Sequence, residues 1–199
     1  LPINSYGHKE IIIEFPQDAQ RGGTRYSVYS IDKTIDYAAC YKVNSAFYES
    51  RGEEGRKILE YIPKYVSKRV PIILDSKRCD IPDTMLHYAL SAESMGYDAI
   101  TVIPFMGFKP IDTVINETNL SCFIVTKTTN IKSELIQSAI TSRNLSVTKE
   151  IIDYANSVHR NDFADVYLLA NCKAYFGSDF WGAPGEGVDT PQKRHSWKF

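Results

Sequence analysis

The sequence predicts an α/β fold built on a parallel sheet, and three observations carry that prediction. Short apolar runs begin near residues 10, 38, 70, 98 and 121, a repeat of roughly 30 residues that matches successive strand–helix units. The stretches between them show helical rather than alternating periodicity. The third run, Val70 to Leu74, is apolar throughout and then ends in charge at Asp75, Lys77 and Asp80. A strand covered on both faces reads this way, and the carboxyl ends of such strands are where parallel α/β folds place chemistry.

The elements follow in order. The first strand is Glu10 to Phe15, with later ones over 38–43, 70–75, 98–103 and 121–126. After the second, Ile58, Leu59, Ile62, Tyr65 and Val66 share one helical face, the spacing of a helix packed on a core. After the third, Met85, Leu86, Ala89 and Leu90 do the same, with Asp83 or Thr84 as candidate N-caps. Beyond residue 131 the rhythm breaks. A long, mostly helical region is expected there, with Ile136, Ala139 and Ile140 on one face and Ile151, Ile152 and Tyr154 further on. A strand-like run from Ala164 to Ala170 follows, and the stretch from Gly182 to His195 is loop-like. Five regular units and two irregular ones are expected, in one domain over residues 1–199 that is atypical from about residue 132.

At 199 residues and 43% hydrophobic, the chain is large enough for one substantial core. A net charge of −1, with both signs interspersed, gives no footprint for nucleic acid and no basic helix for a membrane surface. No apolar run approaches the ~20 residues that span a bilayer. The chain opens Leu1-Pro-Ile-Asn, with no signal-peptide pattern and no initiator methionine, as processing or a longer parent chain would leave it. Cys40, Cys79, Cys122 and Cys172 are far apart, a usage that fits the cytoplasm. His8, His87, His159 and His195 are scattered and read as surface residues, so no metal site is indicated.

On a strand, residues i and i+2 point the same way, so Asp75 and Lys77 project together, with Asp80 just beyond. A solvated ion pair would look the same in isolation. The surrounding residues decide. Asp75-Ser-Lys-Arg-Cys-Asp-Ile-Pro-Asp-Thr84 closely resembles the active-site signature of the orotidine 5′-monophosphate decarboxylase family. Asp36 to Glu49, containing Lys42 and Asn44-Ser-Ala-Phe-Tyr-Glu49, resembles that family's second strand. Gly96 to Gly107 resembles its fourth and Cys122 to Asn130 its fifth, so the likeness runs in order over roughly residues 31–131.

The resemblance implies a (β/α)8 barrel and decarboxylation of orotidine monophosphate to uridine monophosphate, with no cofactor. By it, Lys77 is the proton donor, flanked by Asp75 and Asp80, while Lys42 contacts the ribose region and Thr129 the pyrimidine. Asp80, Ile81 and Thr84 would complete the site of a neighbouring subunit, which implies a homodimer. Pro184-Gly185-Glu-Gly187 looks like the family's seventh-loop phosphate segment, with Gln192 and Arg194 as the available phosphate ligands. Departures are plain as well. Glu14 and Asp18 are the nearest first-strand acids, Cys79 replaces a usual glycine, and the glutamine does not follow the seventh loop at the expected spacing.

A second, shorter resemblance lies at the C-terminal side. Ile151 to Ser178 looks similar to a stretch of bacterial surface-polysaccharide glycosyltransferases. Three readings therefore stand: a cofactor-free decarboxylase, a non-catalytic nucleotide-binding or structural barrel remnant, and a glycosyltransferase-like domain.

Overall fold

A computed structural model describes residues 11–14, 29, 31–128, 130–158 and 166–170. Six strands form one sheet: β1 (Ile11–Glu14), β2 (Ala38–Asn44), β3 (Ile72–Arg78), β4 (Ala99–Val102), β5 (Ser121–Lys127) and β6 (Val166–Ala170). Neighbours in the sheet are neighbours in sequence, and every pair is parallel. A doubly wound sheet reverses its strand order at a switch point, whereas a sheet that always steps the same way curls toward a barrel. The sheet here is a curled half-barrel. The expected strands are present within a few residues, including the sixth, which pairs along β5 from Cys122–Val166 onward.

The helices follow from local sequence. A short helix, α1 (Ala46–Glu49), leads into α2 (Gly52–Val66). Glu53 and Glu54 occupy the first turn of α2 and Lys64 the last, which suits the helix dipole. Ile58, Leu59, Ile62 and Val66 are buried as their spacing predicts. Gly55 permits the close approach of α1: a Cβ there would lie 1.7 Å from the Tyr48 carbonyl oxygen. Tyr97, buried just before β4, donates its hydroxyl to the Leu59 carbonyl at 3.1 Å and so ties α2 to the sheet. Asp98 accepts the Ile72 N–H at 2.8 Å, joining the starts of β3 and β4. Cys40 and Cys122 are buried strand residues.

Three expectations change. Helix α3 (Pro82–Met95) is capped by Ile81 rather than by Asp83 or Thr84. Proline at the first helical position has its ring angle preset for a helix and lacks an N–H that would be unbonded anyway. Its inward face is Met85, Ala89 and Ala92, while Leu90 is 41% exposed. The largest change follows β5. The first part of the expected mostly helical region is reduced to one turn, α5 (Glu134–Gln137), set off from α4 (Lys109–Glu117) by β5. Ile136 and Ile140 are exposed there. A polar turn follows at Thr141-Ser-Arg-Asn144: Asn144 is left-handed at φ 59°, and Thr141 N–H donates to the Leu145 carbonyl. Short polar side chains favour such turns over helix. Helix α6 (Val147–Val158) then packs through Ile151, Ala155 and Tyr154. The Tyr154 ring lies 4.0 Å from that of Phe108, and its hydroxyl donates to Asp112 at 2.7 Å.

Candidate active site

Strands β2, β3 and β4 bring four polar side chains to one place near their C-terminal ends. Asp75, 2% exposed, is at the centre. Lys77 Nζ meets its Oδ1 at 2.6 Å, and Lys42 Nζ meets its Oδ2 at 3.3 Å. Thr101, fully buried, donates its hydroxyl to Oδ1 at 2.8 Å. Burial by itself pushes the Asp75 carboxyl up. The charges of Lys42 and Lys77 and the hydrogen bonds from Lys77 and Thr101 outweigh it, so the group is held below its ordinary value. A carboxylate this deep is tolerated only when paired and hydrogen-bonded.

Asp75 and Lys77 meet as expected, but not on a regular strand. Side chains two residues apart on a strand are spaced by about 7 Å. Here the β3–β4 register shifts between Leu74 and Arg78, and Lys77 is left-handed at φ 47°. Its N–H leaves the ladder and donates to Thr101 Oγ1 at 2.7 Å. For a residue with a β-carbon this conformation is uncommon and is held by its surroundings.

Asp80 stands apart within the single chain. Its Oδ1 accepts the Ile81 N–H at 2.8 Å, and among the described residues it forms no ion pair with Lys77. Ile81 is 51% exposed, and Asp80 and Thr84 are half-buried, Thr84 in the first turn of α3. Glu14 is the strand position paired with Lys42. Thr129, Pro184, Gly185, Gln192, Arg194 and Asp18 fall outside the described residues. Close to Thr129, Gln137 brackets Thr128, accepting its N–H at 2.9 Å and donating to its hydroxyl at 3.1 Å. His87 is exposed. Among the described residues, no three His, Cys, Asp or Glu side chains are grouped to hold a metal, and no helix is long and apolar enough to cross a membrane.

The outer face of β3 carries a second polar group. Arg78 pairs with Glu49 at 2.6 Å and lies 4.7 Å over the Tyr88 ring. Beside it is a cavity of about 280 Å³ lined by Ser45, Arg56, Ser76 and Tyr88 among others. The arginine of the third-strand signature and the glutamate of the second-strand segment thus join across 29 residues of chain. Thr101 is the residue that sequence reasoning missed. Its signal was a single hydroxyl inside the otherwise apolar run Ala99 to Ile103.

A curled, sequentially ordered parallel sheet with an acid between two lysines at its strand ends defines a barrel-type α/β protein with an enzyme-like site. Comparison with known proteins narrows this. The model of the orotidine 5′-phosphate decarboxylase / HUMPS family matches residues 26–172, and the chain belongs to that family. Orotidine 5′-phosphate decarboxylase from Herpetosiphon aurantiacus is 33% identical over 126 residues, covering 63% of this chain and 47% of that protein. The enzyme of the same name from Natronomonas pharaonis is 41% identical over 103 residues, covering 50% and 38%. Among solved structures, Leishmania donovani UMP synthase superposes with a TM-score of 0.70 at 28% identity, over 80% of this chain and 36% of that one. The chain spans about half the length, or less, of these curated relatives. The family match continues through most of the 151–178 segment and β6 extends the same sheet, so the glycosyltransferase resemblance finds no support.

Proposed function

We propose that this chain carries the decarboxylase site of a cofactor-free orotidine 5′-monophosphate decarboxylase and works as one barrel-type domain. The observation that carries the reading is the buried Asp75 held between Lys42 and Lys77. Asp75 and Lys77 of the signature thereby meet beside Lys42 at strand ends.

In this reading, the substrate carboxylate is seated beside Asp75. Two carboxylates at ~4 Å repel by roughly 4 kcal/mol at an effective dielectric of ~20. Loss of carbon dioxide relieves that repulsion. The bond from the pyrimidine ring carbon to the carboxylate breaks and its electron pair stays on the ring carbon. The Lys77 ammonium lies where it stabilises that charge and then donates a proton to it. Water reprotonates the amine. Lys42 holds Asp75 ionised and reaches toward the ribose, and Thr129 takes the pyrimidine contact. Pro184, Gly185, Gln192 and Arg194 are the phosphate ligands, and binding energy gained there is used at the reacting carbon.

The proposed assembly is a cytoplasmic homodimer in which Asp80, Ile81 and Thr84 reach the neighbouring site. The exposure of Ile81 (51%), and of Phe105 (80%) and Met106 (50%) just after β4, supports a face that meets another copy. Loss of orotidine monophosphate absorbance in the ultraviolet tests the reading, with Lys77→Ala as control. Turnover abolished by the substitution is expected. A folded protein that binds uridine monophosphate without turnover would replace the reading with a nucleotide-binding barrel.

A further inference from the structure

The Thr101 hydroxyl has a fixed polarity. A carboxylate only accepts and a backbone N–H only donates. The hydroxyl must therefore give its proton to Asp75 Oδ1 (2.8 Å) and accept from the Lys77 N–H (2.7 Å). One buried oxygen thus holds both the carboxylate and the left-handed backbone of the lysine that pairs with it. Valine has the same shape and can do neither. Serine can do both.

We propose that Thr101 is a positioning residue for the Lys77–Asp75 pair, setting the direction of the Lys77 ammonium from below without touching substrate. This rests on the decarboxylase reading for its effect on rate, and on geometry alone for its effect on Lys77. Among the described residues, the charged groups facing Asp75 are Lys42 from β2 and Lys77 from β3; β4, Ala-Ile-Thr-Val, contributes only the hydroxyl. Removing that donor raises the Asp75 carboxyl, because the hydrogen bond from Thr101 is one of the influences holding it down.

Thr101→Val and Thr101→Ser are the test, read by kcat, KM and the pH profile of kcat. The valine variant is expected to lose roughly 10- to 100-fold in kcat, the worth of one hydrogen bond to a charged group. Its KM should change little, and the acid limb of its profile should move to higher pH. Serine should restore both rate and profile. A valine variant with wild-type kcat and profile would overturn the proposal, as would a serine variant no better than valine. If valine does not fold, Thr101→Cys, whose thiol is a weak donor, takes its place with the same expected direction. Wild-type behaviour of the cysteine variant would likewise overturn the proposal. Should the unsubstituted chain show no turnover, the decarboxylase reading fails but the positioning role is still read from acylation of Lys77. That rate, followed by mass spectrometry, should rise several-fold in the valine variant and return in serine; equal rates in all three would overturn it.

Discussion

The two faces of β3 both carry charge, and they carry it differently. On the inner face, Asp75 is buried and Oδ1 and Oδ2 are met by two ammonium groups and a hydroxyl. On the outer face, Arg78 meets Glu49 where both are partly open to water and stacks on Tyr88. An ion pair in solvent contributes little, whereas a buried charge must be satisfied or the protein is destabilised. Residues alternating along one strand therefore have unlike surroundings: Asp75 and Lys77 meet in a buried ion pair, while Arg78 ties α1 and α3 to the sheet through Glu49 and Tyr88.

Asp75→Asn should give the largest change. It leaves two ammonium groups around a neutral amide and should lower stability by about 3–5 kcal/mol at neutral pH, measured by urea unfolding. Because the folded carboxyl is held below its ordinary value, its stabilisation is present above the unfolded pKa of about 4 and is lost as pH falls through the folded value. The gap between wild type and variant should be flat above about pH 5 and shrink in more acid solution. A gap that widens with acid would contradict the inner-face assignment.

Gly55→Ala comes next and acts on the outer layer alone. Its methyl would sit against the Tyr48 carbonyl, so overpacking should cost about 1–3 kcal/mol while kcat per folded molecule stays near wild type. Glu49→Gln removes one partner of the outer pair and should cost about 1 kcal/mol or less in thermal or urea unfolding. Ser76→Ala sharpens the contrast at its smallest. Among the described residues the buried Ser76 hydroxyl has no hydrogen-bond partner, so its removal should be neutral or stabilise by up to about 1 kcal/mol. A loss comparable to that of Asp75→Asn would mean the outer cavity is occupied by something that bonds this hydroxyl.

Much of this layout was legible in the residues. The apolar run ending in Asp75 marked a strand end, because a strand buried on both faces can change character only where it leaves the core. Asp75 and Lys77 followed from that, and Lys42 from the resemblance of Asp36 to Glu49 to the family's second strand. Thr101 was hidden because threonine is also an ordinary strand former, so its hydroxyl read as β-propensity rather than as a buried donor. The Glu49–Arg78 pair is non-local and leaves no mark in either segment. Between residues 131 and 146 the apolar spacing is helical, but only Glu134–Gln137 forms a helical turn, a polar turn follows at Thr141 to Asn144, and Leu135, Ile136 and Ile140 are exposed. At Pro82 the helix-start signal was proline itself, not the acid or hydroxyl after it.

The most direct measurement compares the two faces in one assay: kcat for orotidine monophosphate decarboxylation by Lys77→Ala and Glu49→Gln beside the unsubstituted chain. The inner-face variant should fall by about 1,000-fold or more, the scale of losing a proton donor and a charge stabiliser together. The outer-face variant should stay within about threefold, since an exposed pair contributes little. Equal losses on both faces, or activity that survives in Lys77→Ala, would contradict the assignment of chemistry to the inner face of β3.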